Sequence, residues 1–139
     1  SHMFIRIVQV LLVLSWSVGL AHAEWKKLTD SPNFGGFIVY VETTSFRIDK
    51  GSGLVKMWIL YDFKTSQEGY QVPYLSMRIQ RQYDCKQGRA QMLAQSFFGD
   101  HMAKGDVIST ESPEGTWMPV GPGTIGKSLW ELACSNSKS

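Results

Sequence analysis

Tyr74-Leu75-Ser76-Met77-Arg78-Ile79-Gln80-Arg81-Gln82-Tyr83-Asp84-Cys85 is the stretch around which the predicted fold is organised. Apolar side chains occupy one set of alternate positions, with Arg81 as the single polar exception, and polar side chains occupy the other set. This alternation is typical of an antiparallel strand with one buried and one solvated face. We therefore expect the rest of the chain to form a sheet around this strand.

Further segments rich in β-branched and aromatic residues are separated by turn residues, which predicts additional strands. These segments are 25–28, 37–41, 54–63, 89–98 and 107–108. Near the C-terminus, residues 125–133 have the apolar spacing of an amphipathic helix, and Thr124 is a suitable N-cap. The sequence therefore predicts an α+β fold: a small antiparallel β-sheet of about five or six strands with a C-terminal α-helix packed on one face.

Residues 1–23 have the features of a short tag remnant followed by an export signal. Arg6 supplies a positive charge, residues 7–14 form an apolar segment, and Ala21-His22-Ala23 is a small-x-small cleavage site. A membrane anchor is the alternative interpretation, but the apolar run is short for a spanning helix. We expect cleavage after Ala23.

The remaining chain is predicted to be one domain over residues 24–134, followed by a disordered tail over 135–139. No cysteine lies near the expected cleavage site, so we expect no lipoprotein anchor. In an exported protein an even pair of cysteines most simply forms a disulfide, here between Cys85 and Cys134. The predicted location is the periplasm, the cell surface or the exterior.

Charge and histidine content argue against several classes of function. A formal net charge of +2 at pH 7 indicates neither nucleic acid nor an anionic membrane as a partner. After the signal, His101 is the one histidine, which is too few for a usual zinc site when both cysteines are bridged. We expect no metal, no cofactor and no catalytic residue, and interpret His101 as a surface-loop residue.

One segment matches a nucleotide-binding pattern. Gly121-Pro122-Gly123-Thr124-Ile125-Gly126-Lys127-Ser128 fits G-x-x-x-x-G-K-[ST] letter for letter. A P-loop, however, follows a buried parallel strand in a large α/β sheet, and no alternation of strands and helices precedes this segment. We interpret the segment as a turn that leads into the helix, and expect no nucleotide to bind.

The two central strands carry polar side chains that form a candidate binding face. Its members have amide or guanidinium groups: Arg78, Gln80, Gln82, Arg89, Gln91 and Gln95. By alternation, Ala90, Met92 and Ala94 lie on the opposite face, where small side chains would let the helix approach closely. The six polar residues are compatible with a recognition surface and with an ordinary solvated sheet face.

Several short motifs follow one another between residues 25 and 134: Trp25-x-x-Leu28, Val55-Lys56-Met57-Trp58-Ile59-Leu60-Tyr61-Asp62-Phe63-Lys64, Tyr74-Leu75-Ser76-Met77, Tyr83-Asp84-Cys85, Ser96-Phe97-Phe98 and Pro122-Gly123-Thr124-Ile125-Gly126-x-x-Leu129-Trp130-x-x-Ala133-Cys134. In this order and spacing they resemble the bacterial surface-adhesin protein E family. The resemblance implies a small antiparallel sheet with a packed helix, a disulfide and no catalysis. It also implies binding to another protein, such as a host matrix protein, and domains of this kind can form homodimers.

Two classes of function remain. The first is a non-enzymatic exported domain that binds another protein, either a host matrix protein or an envelope component. The alternative is a soluble periplasmic domain with a structural or small-ligand-binding role. Exposure to protease added to whole cells indicates the first class, and release by osmotic shock indicates the second.

Overall fold

The computed structural model describes residues 24–69, 72–112 and 115–136, so the predicted export signal lies outside the described residues. These residues form eight strands and one α-helix. They are β1 (Trp25–Ser31), β2 (Phe37–Glu42), β3 (Arg47–Ile48), β4 (Leu54–Gln67), β5 (Tyr74–Asp84), β6 (Arg89–Phe98), β7 (Val107–Glu111), β8 (Met118–Pro119) and α1 (Ile125–Asn136).

The strands form one antiparallel sheet in the order β1-β2-β4-β5-β6-β7. The short strand β3 pairs with β4 beyond the end of β2, and β8 pairs with β6 beyond the end of β7. The predicted α+β class is confirmed. The strand count is larger than predicted because of these two short strands. Each pairs with part of a long strand that its longer neighbour does not cover.

The core lies between α1 and one face of the sheet, which we call the helix face and define by Val55, Met57 and Ile59. These side chains alternate along β4 and are completely buried. The β5 residues that pair with them lie on the same face of the sheet. Helix α1 covers this face with Leu129 and Ala133, which are also completely buried. The alternating apolar side chains of β4 therefore pack against the apolar face of α1 in one core.

Helix α1 begins and ends at contacts that hold it on the sheet. The Lys127 backbone N–H donates a hydrogen bond to Thr124 Oγ1 at 3.1 Å, which confirms Thr124 as the N-cap. Near the other end, a disulfide joins Cys85 to Cys134 with 5.6 Å between their Cα atoms, as predicted. The helix continues through Asn136, three residues beyond the predicted segment 125–133.

A bulge in β6 changes which side chains share a face. Arg81 of β5 pairs with Met92, whereas the preceding residue, Gln80, pairs with Ala94, so Leu93 is an extra residue in β6. Because side chains alternate along a strand, one extra residue moves all later side chains to the other face. The prediction that Ala94 shares a face with Ala90 and Met92 was therefore wrong.

Strand β4 is longer than the predicted segment 54–63. It continues to Gln67, whose Nε2 donates hydrogen bonds of 2.9 Å to Phe34 O and 3.0 Å to Thr65 O. The Lys64 N–H also donates to Gly36 O at 2.9 Å. These contacts with the turn before β2 extend the strand into residues whose polar composition resembles a loop.

Candidate binding face

The sheet face opposite α1, which we call the open face, carries Trp58 of β4 and Arg78, Gln80 and Gln82 of β5. The register of β4 and β5 pairs Trp58 with Gln80 and Leu60 with Arg78. Leu60 is completely buried, and the other four side chains are half-buried. Apolar and polar side chains thus lie side by side on the central strands of the sheet.

The Arg78 guanidinium lies close to two aromatic rings. Its guanidinium carbon lies 4.7 Å from the centre of the Trp58 ring and 5.9 Å from the centre of the Phe98 ring. Such stacking orients a guanidinium and leaves its in-plane N–H groups available. Within the described ranges, no carboxylate forms an ion pair with Arg78, and its Nε is buried without a hydrogen-bond partner.

Two glutamines of the open face, Gln82 and Gln91, are ordered by hydrogen bonds. Gln82 Nε2 donates to Gln91 Oε1 at 2.5 Å, and Gln91 Nε2 donates to Gly115 O at 2.7 Å. Gly115 N–H in turn donates to Met92 O at 3.1 Å. This chain of amides ties the segment before β8 to the two central strands and fixes the amide orientations.

Arg89 forms a second arginine–tryptophan stack at the end of the two central strands nearest the disulfide. Its guanidinium carbon lies 4.6 Å from the centre of the Trp117 ring, and its Nε donates to Asp84 Oδ2 at 3.1 Å. Trp58, Phe98 and Trp117 are absent from the sequence-based candidate face. Trp58 could have been found, because it alternates with the core residues of β4, but nothing near Trp117 in sequence indicates its contact with Arg89.

Asp84 is a buried acceptor that organises the turn between β5 and β6. Its Oδ1 accepts the backbone N–H groups of Lys86 and Gln87, each at 3.1 Å. Burial alone raises the pKa of this carboxyl, but the hydrogen bonds from Gln87, Arg89 and Lys86 outweigh burial, so its pKa is lowered. A carboxylate with a lowered pKa stabilises the fold while it is charged.

This pKa shift predicts that Asp84 contributes to acid unfolding. A lowered folded-state pKa gives a contribution that is present above the unfolded pKa of about 3.9 and is lost as pH falls through the folded value. The Asp84→Asn variant should therefore be less stable than the native chain at pH 7, and the difference should shrink near pH 3. Urea unfolding at both pH values measures it, with exposed Asp106→Asn as control; a difference independent of pH would contradict the prediction.

Gln95 does not belong to the open face, although the sequence analysis placed it there. It pairs with Ile79 of β5 and therefore lies on the side of the helix face. The cause is the β6 bulge at Leu93, which precedes Gln95 and reverses the side of every later residue. Its Nε2 donates to Glu111 Oε2 at 2.6 Å on the neighbouring strand β7.

His101 belongs to a loop, residues 99–106, that folds over the end of the open face. Its Nδ1 lies 3.1 Å from Asp62 Oδ1, which also accepts the Met102 N–H at 3.0 Å. Buried Ser76 donates through Oγ to Asp100 O at 2.6 Å and accepts the Ala103 N–H at 2.9 Å. His101 thus lies beside Asp62 in a contact that holds the loop.

The segment 121–128 is the turn and first helical turn that the sequence analysis expected. Thr124 Oγ1 donates to Gly121 O at 2.7 Å, and the Lys127 ammonium lies 4.2 Å from the centre of the Trp130 ring. The strand before it, β8, has two residues and pairs antiparallel with β6. The buried parallel strand that precedes a P-loop is therefore replaced by a short edge strand.

Residues 24–69, 72–112 and 115–136 contain no group of three histidine, cysteine or acidic side chains arranged to hold a metal ion. They also contain no helix that has the length and apolar character needed to cross a bilayer.

Known structures share this fold. Haemophilus influenzae protein E has a TM-score of 0.61 at 14% sequence identity, covering 86% of this chain and 95% of that one. Its selenomethionine form gives a TM-score of 0.64 at 14% identity over 84% and 94% of the two chains. Protein E from non-typeable Haemophilus influenzae gives 0.61 at 13% identity over 86% and 81%.

Sequence comparison gives the family directly. No curated protein matches the sequence. The profile described as surface-adhesin protein E matches residues 25–135, which is nearly the whole described chain. The resemblance noted in the sequence motifs is thereby confirmed, and the chain belongs to the surface-adhesin protein E family.

Proposed function

We propose that this chain is a non-enzymatic, exported, adhesin-like domain that binds another protein through its open face. Membership of the surface-adhesin protein E family supports a role at the cell surface. The proposed contact residues are Arg78, Gln80, Gln82, Arg89 and Gln91, supported by Trp58 and Trp117. The partner is a host matrix protein or an envelope component.

The observation that carries this proposal is the stacked guanidinium of Arg78. Two aromatic rings hold it, and no carboxylate of the described chain is paired with it. Arginine and tryptophan are enriched among the few residues that supply most of the binding energy at protein interfaces. A carboxylate of a partner would find this guanidinium already oriented, so little side-chain entropy would be lost on binding.

The amide chain of Gln82 and Gln91 supports the same face. Its hydrogen bonds hold the two amides in one orientation before any partner arrives. Pre-ordered polar groups lose less entropy on association than mobile ones. The open face therefore combines a stacked cation with ordered amides, which suits a protein surface better than a small apolar ligand.

A triple variant tests this proposal. Arg78→Ala, Gln80→Ala and Gln82→Ala together should weaken binding of the mature domain to immobilised extracellular-matrix extract or envelope extract by at least about tenfold. Biolayer interferometry measures the change. The matched control replaces exposed Lys50, Glu68 and Lys104 by alanine and should leave the affinity unchanged.

Two results would count against the open face. The first is native affinity in the triple variant when circular dichroism shows that it is folded. The second is complete loss of binding in His101→Ala, which would return attention to the loop at 99–106. Sedimentation of the mature domain, native and triple variant, shows whether a second copy of the chain occupies this face.

The alternative, a soluble periplasmic domain that binds a small ligand, is favoured by a different observation. A cleft of about 560 Å³ lies on the helix face, away from Arg78. Its lining includes neither Arg78 nor Arg89, and it shares Gln91 with the open face. Cell fractionation separates the two locations, with protease sensitivity on whole cells expected for the adhesin-like role.

A further inference from the structure

A cleft opens beside α1, between strand β6, the segment that contains β8 and the first turn of the helix. Its volume is about 560 Å³, within the range of about 300–1,000 Å³ typical of small-molecule sites. The cleft exists because α1 packs mainly on β4 and β5 and leaves part of β6 uncovered. Its lining includes Ala90, Met92, Met118, Pro119 and Val120, together with Arg81.

Among the described residues that line it, the cleft is mostly apolar, and Arg81 is the one charged side chain. Alanine, methionine, proline and valine side chains form the walls, and none of the described lining residues is acidic. Arg81 is the polar exception in the apolar alternation of β5, and the register places it opposite completely buried Met57. Arg81 therefore places a positive charge on the helix face, among side chains of the apolar core.

Arg81 has no carboxylate partner among the described residues. The hydroxyl of buried Tyr83 lies beside Arg81. Burial raises the pKa of Tyr83, and the positive charge of Arg81 opposes that effect. Arg81 is half-buried, and its positive charge would attract an anion more strongly in this partly desolvated cleft than in water.

The start of α1 adds to the positive character of the cleft without carrying the argument. Thr124 and Gly126 line it, and the helix begins at Ile125 with its N-terminal end towards this region. The positive end of a helix dipole favours a nearby anion. This effect and Arg81 act in the same direction.

We propose that this cleft binds a small amphiphilic carboxylate, with the carboxylate on the Arg81 guanidinium and the apolar body against Met92, Met118 and Val120. A guanidinium matches a carboxylate through two parallel N–H···O bonds. One arginine balances a single negative charge, whereas a doubly charged phosphate would leave charge uncompensated in an apolar site. The cleft shares Gln91 with the open face, but Arg81 is not part of that face, so the proposal does not rest on the function proposed above.

Titration calorimetry with decanoate and with decanol tests the site, because these probes share an apolar chain and differ in charge. The native mature domain should bind decanoate saturably and at least about tenfold more tightly than decanol. In Arg81→Met, decanoate affinity should fall by about tenfold or more, whereas decanol affinity should change little. Arg47→Met is the matched control, because Arg47 is exposed and does not line the cleft, and it should bind decanoate like the native domain.

A second variant tests the cleft without removing the charge. Outside the backbone of α1, the described atom within 4 Å of a Cβ at position 126 is Thr124 Oγ1, at 3.7 Å, which is ordinary contact. Gly126→Leu should therefore fold, with a helix propensity better than that of glycine, and its side chain should occupy the cleft and abolish binding of both probes. The proposal is overturned if decanoate does not saturate, if Arg81→Met binds it normally, or if Gly126→Leu binds both probes unchanged.

Discussion

The Cys85→Ser, Cys134→Ser double variant is expected to have a free energy of unfolding about 2–5 kcal/mol below that of the native chain. The bridge joins residues separated by 49 positions, and closing a loop of that length is worth about 4 kcal/mol in the chain-entropy model. Because the net stability of a small domain is about 5–15 kcal/mol, this loss would remove a large share. Urea unfolding of the mature domain, followed by tryptophan fluorescence, measures it.

Reduction of the native domain provides the matched control for this variant. The reduced native chain and the double serine variant should unfold at similar urea concentrations, since both lack the bridge. A thiol reagent applied in denaturant without reductant should label neither cysteine of the oxidised chain. Two labelled thiols per chain in exported protein would show that the pair is not bridged, and the predicted loss of stability would not apply.

The remaining contacts at this end of the helix determine how the variant unfolds. Trp130 Nε1 donates to Asp84 O at 3.0 Å, close to the bridge in the chain and in space. This hydrogen bond and the burial of Ala133 still hold α1 to the sheet after the disulfide is lost. We therefore expect amide exchange to rise first in the last turns of α1 and only later in β4.

The Leu129→Ala variant is expected to destabilise the domain by about 2–5 kcal/mol. Leu129 is completely buried in the cluster that includes Val55, Met57 and Tyr83, so its removal leaves a cavity between helix and sheet. The cost combines the lost transfer free energy of the side chain with the contacts that its neighbours lose. The same urea experiment measures it, and the slope of the transition should remain that of the native chain.

Glu131→Ala is the control for this variant, because position 131 is exposed on the same helix. A surface substitution of this kind is expected to change stability by no more than about 0.5 kcal/mol. If Leu129→Ala and Glu131→Ala had equal effects, α1 would not be docked on the helix face in solution. The cleft proposed beside the helix would then lose one of its walls.

The local alternation of side chains predicted most of the sheet correctly. Strand β5 agrees with the stretch 74–85 to within one residue, and β6 agrees with 89–98. Period-two patterns report burial on one face, which depends on neighbouring residues in the chain. The helix could likewise be predicted, because Thr124 and the apolar spacing after it are local signals.

The bulge in β6 could not be predicted from the alternation of side chains. Nothing in the letters around Leu93 marks it as an extra residue, so the alternation was continued through it and Gln95 was placed on the wrong face. A bulge is decided by how two strands pair, and pairing involves residues that are distant in sequence. The same applies to Trp117, which reaches Arg89 across a gap of many residues.

The α+β class, the positions of the central strands and the helix, the disulfide and the family could be predicted from the amino-acid sequence, because each rests on local patterns or on residue identity. The roles of Arg78 and Arg81 could not be predicted in this way, because they depend on elements that are distant in sequence. Arg78 is one polar residue among several until Trp58 and Phe98 are brought to its two sides. In the sequence, Arg81 is only an interruption of an apolar pattern; in the structure, the position of α1 leaves a cleft that Arg81 lines. Both roles depend on the arrangement of separate elements, which is set by packing and sheet register across the whole domain.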